Sequence, residues 1–548
     1  MAQPSSASSQ APPAVPPGCK GLDDVDIVPD EGVSRVSRQL LEGCIRRTFT
    51  EGGSQVTRLI RQGADPRAIG GLRARGISGG VRFWRYSCLS FAIDSPTDRP
   101  FLYTRGPGLT EAPVVLPQWP SRRLQRDILN APIDGGADVN AAGGEERPIK
   151  LAIAAGNLTA MEALLARQVD VRGFTVMQLP YIRGDGPPAT RDYEAALMSV
   201  FRRLIQHDNT LAAERYGHTL VHLAARASTF SQSFIDEYLT LITSHGADMT
   251  ATDPGGFTPL HSVAFGSHCV AEWLCRQLTA EDVNRGMPNL PNMTPLAMAA
   301  EALGQEQQGE GQGKEERHQR RIREHKATIG VLLRSGAAPS IARMPTATEE
   351  QRRRRQLVLA EYATVLNELS EVVLSAINGA LAPQRDHSML LARLLPLAPH
   401  HDGAHPHPSP SNMAFGPHEA EAIGWKIGAF LYEPPPAVAA INQYLIGESM
   451  LRRRVRAAVG HFVKSAATQT SSNREVVGGT RYQQQGDKRV KVTVPPLQCF
   501  AVRGSVGGRK TGVREVVHRA RLDERRMFEW GQLGRLSRTG LFVSLGID

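Results

Sequence analysis

Cysteine is scarce in this chain of 548 residues, and no two of its cysteines form a CxxC pair. A disulfide framework is therefore excluded, because such frameworks need many cysteines in a short chain. The scarcity indicates a reducing compartment, so we expect an intracellular protein, in the cytoplasm or alternatively in the nucleus. The six cysteines stand singly, at Cys19, Cys44, Cys88, Cys269, Cys275 and Cys499.

Aromatic residues and long apolar runs are also lacking. Aromatics make up 6% of the chain, which favours helices packed through Leu, Val and Ala over a large sheet sandwich. The sequence contains no run of about 18 apolar residues, so we expect no transmembrane segment. Residues 1–35 begin with a Pro/Ser/Ala-rich stretch that lacks the charged and apolar regions of a signal peptide, and we interpret them as a disordered leader.

Acidic residues are few in the C-terminal part of the chain. The net charge is +10, and residues 452–548 carry 20 Lys and Arg against 7 Asp and Glu, a net charge of +13. The preceding residues therefore carry a net charge of −3. This asymmetry predicts that the two parts of the chain have different partners.

What the chain does have is an internal repeat. The string GFTPLHSVA at residues 256–264 recurs as GHTLVHLAA at 217–225 and as NMTPLAMAA at 292–300, with a looser copy, ERPIKLAIA, at 146–154. The Thr of each Thr-Pro pair can cap a helix with its hydroxyl group. The Pro then occupies the first helical position, where no N–H is needed.

A second string also recurs along the chain. VTRLIRQGAD, LITSHGAD and IGVLLRSGAA share a Gly with apolar residues three, four or seven positions before it, a spacing that places them on one helical face. The Gly suits the left-handed residue that ends a helix. We expect the second helices to end near Gly63, Gly136, Gln168, Asp208, Gly246, Gln277 and Gly336.

Together these strings resemble the ankyrin repeat, with its TPLHxA opening and its VxxLLxxGADxN continuation. The resemblance covers residues 36–342 and about seven divergent repeats, with insertions near 94–122 and 302–325. It implies a mainly α fold, an ankyrin-repeat α-solenoid in which neighbouring helical hairpins cover each other's apolar faces. It also implies that the protein is an adaptor or scaffold that binds another protein and performs no catalysis.

The resemblance assigns roles to particular residues. It implies that His261 and His222 bond to backbone and to the neighbouring repeat, although His218 and His222 also have the spacing of a zinc pair. The sequence offers no third ligand, so we expect no metal, no cofactor and no catalytic residue. We expect partner contact in the loop that precedes residue 258, at Asp253 and Phe257.

A helical extension is expected over residues 346–395. Thr346 and Glu349 have capping-box spacing, and the apolar residues that follow form a heptad stripe. We interpret this helix as a cap on the last repeat; a coiled-coil partner is the alternative. The apolar stripe comprises Val358, Tyr362, Val365, Leu369, Val372 and Ala376.

Residues 396–416 form a Pro/His-rich linker, and residues 417–548 form a small basic C-terminal module that is α/β or partly disordered. We expect helices from 417 to about 465, a strand at 487–494, and a strand, glycine loop and helix from 497 onward. The loop GSVGGRKT departs from a phosphate-binding loop because Arg509 replaces its second Gly.

The alternative function is anion binding, to nucleic acid or to a phosphoinositide or acidic membrane surface, through residues 452–548. The candidate anion-binding residues are Lys488, Arg489, Lys491, Arg509 and Lys510.

Overall fold

A computed structural model describes most of the chain, and from residue 461 onward it describes the backbone alone. The chain is mainly helical, as expected. It divides into two compact units, Met1–Leu274 and Cys275–Asp548. The described residues are 15–76, 84–105, 111–141, 146–180, 188–227, 229–308, 315–397, 415, 417–428, 430, 435–468, 474–485, 488–506, 509–517, 534–536 and 542–544.

The first unit is built from short helices, and the last of them crosses the boundary between the units. In chain order they are α1 (Arg35–Arg46), α2 (Gly53–Arg61), α3 (Cys88–Ala92), α4 (Arg122–Asp134), α5 (Pro148–Ala154), α6 (Leu158–Leu165), α7 (Arg191–His207), α8 (Leu220–Ala224), α9 (Gln232–Ser244), α10 (Pro259–Ser262) and α11 (His268–Gln277).

These helices form two rows. In one row, α1 contacts α3, α3 contacts α5, and further along the chain α8 contacts α10. In the other row, α2, α4, α6, α7 and α9 each contact the next. The rows are joined where α1 contacts α2, α3 contacts α4 and α5 contacts α6. Each short helix therefore buries its apolar face against its neighbours, as a helix of two or three turns must.

Most of the helix starts and ends lie where the repeated strings predict them. Thr219 and Thr258 cap α8 and α10, and Pro259 takes the first position of α10. The predicted second-helix ends are confirmed in this unit: Gly63, Gly136 and Gly246 have φ of 96°, 97° and 98°. Only glycine adopts this left-handed conformation without strain, which explains why it recurs there.

The segment at 173–179, between α6 and α7, is not helical. The string GFTVMQL at 173–179 forms turns instead, with Thr175 at a φ of 51°. Val176, Met177 and Leu179 are nevertheless buried, so the segment fills the core without a helix.

A five-stranded sheet was not anticipated. Its strands are β1 (Val25–Pro29), β2 (Ile69–Ala74), β3 (Arg85–Ser87), β4 (Leu102–Arg105) and β5 (Glu111–Val114). The order is β1-β2-β4-β5, with β3 paired to β2, and only the β2–β4 pair is parallel. A small hairpin follows further along the unit, β6 (Arg215–Tyr216) and β7 (His218–Thr219).

The sheet changes two of the expected segments. β1 lies inside residues 1–35, which we expected to be disordered. This part of the segment is ordered because Val25 and Ile27 are buried. β4 and β5 lie inside the expected insertion at 94–122, so the insertion completes a sheet that begins before the first helix.

A buried carboxylate holds this segment against the helices. Asp94 is fully buried, and its Oδ1 accepts hydrogen bonds from Arg122 Nη1, Gln125 Nε2 and Asn157 Nδ2 at 2.7, 2.8 and 2.8 Å. Its Oδ2 accepts a bond from the N–H of Trp119 at 2.7 Å. Both carboxylate oxygens of Asp94 therefore accept hydrogen bonds, which offset the cost of removing the charge from water.

The second unit contains longer helices and two small sheets. Its helices are α12 (Ala280–Val283), α13 (Pro295–Gln308), α14 (Glu315–Arg334), α15 (Ala338–Arg343), α16 (Glu349–Leu394), α17 (Pro417–Gly428), α18 (Pro435–Tyr444) and α19 (Met450–Thr468). Its strands are β8 (Arg474–Gln485), β9 (Lys488–Val506), β10 (Arg509–Val517), β11 (Gly534–Leu536) and β12 (Phe542–Ser544).

The helix ends of the second unit agree with the repeated strings, but the insertion does not. Gly336 has a φ of 95°, and the Thr294 hydroxyl accepts a bond from Ala297 N–H at 3.3 Å, as predicted. The insertion expected near 302–325 is largely helical, because α13 runs through Gln308 and α14 begins at Glu315. Gln and Glu are good helix formers, so these polar residues extend both helices.

Helix α16 covers the last helical pair, as expected, because it contacts both α13 and α14. Val358, Val365, Leu369 and Ala376 of its heptad stripe are buried inside this unit, where α17, α18 and α19 also contact it. The stripe is therefore covered by helices of the same chain. The expected cap was misplaced by two residues: Thr348 caps α16, and Gln351 completes the capping box.

The C-terminal strands confirm one prediction and correct another. β9 begins at Lys488 and includes residues 488–494 of the strand predicted at 487–494, and Asp487 lies outside the described residues. The helix predicted after the glycine loop is wrong, because residues 509–517 form β10 antiparallel to β9. A strand after the loop also removes the phosphate-binding reading, since that site needs a helix N-terminus there.

Candidate functional site

Consecutive loops of the first unit are joined by hydrogen bonds. Near the start, Arg67 Nε donates to Gly136 O at 2.9 Å, and Asp170 N–H donates to Asn140 Oδ1 at 2.8 Å. Arg172 then bonds to Asp208, and Arg215 Nη2 donates to Thr252 O at 3.0 Å. We call residues 170–174, 208–219 and 250–257 the loop edge.

Each loop is also folded on itself by an aspartate after the preceding helix. Asp208 Oδ1 accepts bonds from the backbone N–H and hydroxyl of Thr210 at 3.0 and 2.7 Å. Asp248 does the same with Thr250, at 2.8 Å for both bonds. The bonds from Thr210 hold the pKa of Asp208 below its ordinary value. Burial acts to raise the pKa of Asp248, but the bonds from Thr250 and from the N–H of Ala251, with the charge of Arg215, together outweigh it, so that pKa is also lowered. Both carboxylates therefore stay ionised and hold their loops at neutral pH.

His222 links one loop to the next helix start. Its Nδ1 lies 2.7 Å from the Thr219 hydroxyl oxygen, and its Nε2 lies 2.9 Å from Phe257 O. Burial lowers the pKa of His222, more than the bond to Phe257 raises it. A neutral ring that donates from Nε2 satisfies both contacts. This arrangement confirms the structural role expected for His222, and Thr258 makes the same 2.8 Å contact to Nδ1 of His261.

The two residues expected to contact a partner are engaged in their own loop. Asp253 Oδ1 accepts bonds from the N–H groups of Gly255 and Phe257, both at 2.9 Å. Its Oδ2 lies 3.3 Å from Nδ1 of His218. Phe257 is half-buried and meets the ring of His261 edge-on at 6.3 Å. Both side chains therefore stabilise the conformation of their own loop, and contact with a partner would be a second role for them.

Sequence reasoning missed the aromatic residue that the loop edge does expose. Tyr216 is 71% exposed at the turn between β6 and β7, where Gly217 has a φ of 73°. The signal was present in the sequence, since an aromatic residue next to Gly directly precedes the repeated string GHTLVHLAA. A large exposed aromatic on an ordered turn is a common anchor for protein partners.

A cavity of about 220 Å³ lies elsewhere in the same unit, and its lining includes Arg99, Tyr103, Lys150 and Tyr193. Burial lowers the pKa of Arg99 and raises that of Tyr193 further above its usual range. With its pKa raised, Tyr193 keeps its proton and is therefore not suited to proton transfer near pH 7.

Metal ligation finds no support in the part of the chain that the structure describes. There, no three His, Cys, Asp or Glu residues are placed to hold an ion. The rings of His218 and His222 are 5.9 Å apart, and His222 is occupied by the contacts given above. The His-rich tract falls almost entirely at 398–414, outside the described residues.

The candidate anion-binding residues are placed through their backbone alone. Lys488, Arg489 and Lys491 lie in β9, whereas Arg509 and Lys510 lie in β10. Their side chains lie outside the described part of the structure. The strand register pairs Arg489 with Gln484 and Lys491 with Tyr482.

Comparisons with known proteins add no identity. No protein-family model matches the chain, and no curated protein shows detectable similarity to it. Among the described residues, every helix is too short or too polar to cross a membrane.

Proposed function

We propose that the protein is an adaptor that binds another protein through an ankyrin-like array of helical pairs over residues 36–342, and that it performs no reaction. The two rows of helices in the first unit support this proposal, because thin pairs that contact their sequence neighbours are what such an array requires. The left-handed glycines at the ends of the second helices support it as well. We place the protein in the cytoplasm, with the nucleus as the alternative.

The observation that carries the proposal is the loop edge. Its loops are bonded to one another through Arg172, Arg215 and His222, so a partner meets loops that are already ordered. Binding to an ordered surface avoids the entropy cost of fixing mobile loops. Tyr216 is exposed in the middle of this surface and provides apolar area and a hydroxyl group for contact.

The test compares two exposed aromatic residues in the full chain. Tyr216→Ala removes the proposed anchor. Phe265→Ala is the control, because Phe265 is 59% exposed but follows the C-terminal end of α10, outside the loop edge. Wild type and the Phe265 variant should capture the same partner from a lysate, and the Tyr216 variant should bind that purified partner at least about tenfold more weakly. Equal loss in both variants, or cross-links that avoid the loop edge, would contradict the proposal.

A second candidate function is favoured by the C-terminal charge and register. Residues 452–548 carry a net charge of +13, and the β8–β9 register puts Arg489 and Lys491, two positions apart, on one face with Tyr482 and Gln484. Cations beside an aromatic residue suit nucleic acid, and a phosphoinositide surface remains the other anion. If the full chain binds single-stranded RNA, the logarithm of the binding constant should fall steeply with the logarithm of the salt concentration. A flat salt dependence would remove this candidate.

A further inference from the structure

The cavity of about 220 Å³ in the first unit is enriched in aromatic residues, and we call it the aromatic cavity. Five of the 17 described residues that line it are aromatic, whereas aromatics make up 6% of the whole sequence. Its walls therefore suit a flat, apolar ligand. The five aromatic residues are Trp84, Tyr86, Phe101, Tyr103 and Tyr193.

Hydrogen bonds fix these aromatic walls in place. The cavity lies between the sheet, which contributes β3 and β4, and the helices α5 and α7. Within the sheet, the Tyr86 hydroxyl accepts a bond from the N–H of Tyr103 at 2.9 Å. Between the helices, the Tyr193 hydroxyl donates to Ala154 O at 2.8 Å. A ligand that enters the cavity thus meets rings that are already held, which lowers the entropy cost of binding.

Two basic side chains also line the aromatic cavity. Arg99 is 5% exposed, and its guanidinium lies 5.1 Å from the centre of the Tyr193 ring. Its Nη1 donates to Pro188 O at 2.8 Å, so the charge is fixed at the wall. Lys150 is half-buried and forms no ion pair with a described residue. With Glu146 as the one carboxylate among the described lining residues, their net charge is +1.

One wall of the cavity holds a residue in an uncommon backbone conformation. Thr175 lines the cavity, is buried, and has a φ of 51°. A β-branched residue rarely adopts this left-handed conformation, because it is strained. Such residues cluster at ligand-binding sites, where the surrounding structure outweighs the strain. The turns over residues 173–179 therefore form a wall of the kind that ligand sites use.

We propose that the aromatic cavity binds a small aromatic carboxylate, a ligand with one ring and one negative charge. The ring lies among the aromatic walls, and the carboxylate meets Lys150 and Arg99, since ammonium and guanidinium groups pair readily with carboxylates. The volume limits the ligand to about one ring, because pockets for drug-sized molecules measure about 300–1,000 Å³.

The charge of the cavity decides between the ligands that aromatic walls can take. Such walls also suit a quaternary ammonium ion, but a net charge of +1 opposes a cation. A carboxylate fits better than a phosphate, because Glu146 repels a second negative charge. The described lining residues include none of the loop edge, so this inference does not depend on the proposed function.

The test titrates the full chain with phenylacetate, followed by calorimetry. Wild type should bind phenylacetate with a dissociation constant of about 1 mM or lower, as a ligand of this size allows. Phenylacetamide keeps the ring without the charge, and acetate keeps the charge without the ring. Both should bind at least about tenfold more weakly than phenylacetate. The cation 2-phenylethylammonium should not bind.

Three variants place the binding in the cavity. Lys150→Gln should weaken the binding of phenylacetate by about tenfold, because it removes one of the two positive charges. Lys20→Gln is the matched control: Lys20 is an exposed lysine of the same unit outside the described lining residues, and its substitution should leave binding unchanged. Ala154→Leu adds a larger side chain to the wall and should abolish binding. Circular dichroism establishes that all three variants are folded.

The inference is overturned by any of four results. Wild type does not bind phenylacetate, or it binds acetate or 2-phenylethylammonium as tightly as phenylacetate. Lys150→Gln and Lys20→Gln have the same effect, or Ala154→Leu binds phenylacetate as wild type does.

Discussion

Asp94 joins the segment that contains β4 and β5 to the helices of the first unit. Its carboxylate receives bonds from α4 through Arg122 and Gln125, from the start of α6 through Asn157, and from the backbone of Trp119. Close by, Arg47 is buried and donates to the carbonyl oxygens of Cys44, Phe91, Ile93 and Pro117. Burial lowers the pKa of Arg47 to about 10, which still leaves it charged at neutral pH.

Replacing Asp94 with Asn tests this carboxylate. The amide cannot pair with Arg122 as an anion, and its NH₂ group meets donors, so we expect a loss of about 2–4 kcal/mol in the free energy of unfolding. Asp127→Asn is the control, because Asp127 is an exposed residue of α4, the helix that carries Arg122 and Gln125, and the change should alter stability by less than about 0.5 kcal/mol. Urea denaturation measures both. Equal small effects would mean that the carboxylate is not a structural centre.

His222 provides a pH-dependent prediction at the same scale. His222→Ala removes the contacts to Thr219 and Phe257 O and should cost about 1–3 kcal/mol at pH 7.5. Because burial lowers the pKa of His222, the unfolded chain binds the proton more readily than the folded chain. The contribution of His222 is therefore complete above its ordinary pKa of about 6.5 and is lost as the pH falls through the lower folded value. The difference between wild type and variant should shrink toward pH 5.5. A difference that grows on acidification would contradict this role.

At the scale of the element, helix ends were predictable and strand pairing was not. Thr-Pro and Gly act within one turn of their own helix, so Thr258, Pro259 and Gly246 could be read directly. The strands of the sheet are short and find their partners far along the chain: Val25 pairs with Ala74, across an intervening helical pair. No local pattern encodes such a pairing. Tyr216 was missed for a related reason, because exposure depends on the arrangement of neighbouring loops.

Alanine substitutions at two glycines near the end of α14 test whether the helix ends in a left-handed residue. Gly336 has a φ of 95°, and a Cβ added there would come within 2.5 Å of the Ser449 side chain. Gly336→Ala should therefore destabilise the protein by about 1–3 kcal/mol. Gly330 lies inside the helix with open space around it, so Gly330→Ala should stabilise by about 0.5–1 kcal/mol. Thermal unfolding of the two variants should shift in opposite directions, and shifts of the same sign would contradict the assigned helix end.

At the scale of the whole molecule, the chain combines surfaces of different chemistry. The loop edge offers an ordered row of loops with an exposed tyrosine, and residues 452–548 carry a net charge of +13. Charge on this scale governs association with anionic partners more than it governs the fold. A protein with both surfaces can hold more than one partner, which the proposed adaptor function requires.

Hydrogen–deuterium exchange of the full chain, with and without a partner captured by wild type, tests the central claim most directly. A partner held by the loop edge should slow exchange at residues 208–219 and 250–257, while the helices behind them exchange slowly in both states because their bonds are already formed. Protection confined to residues 417–548, with the loop edge unchanged, would contradict the account.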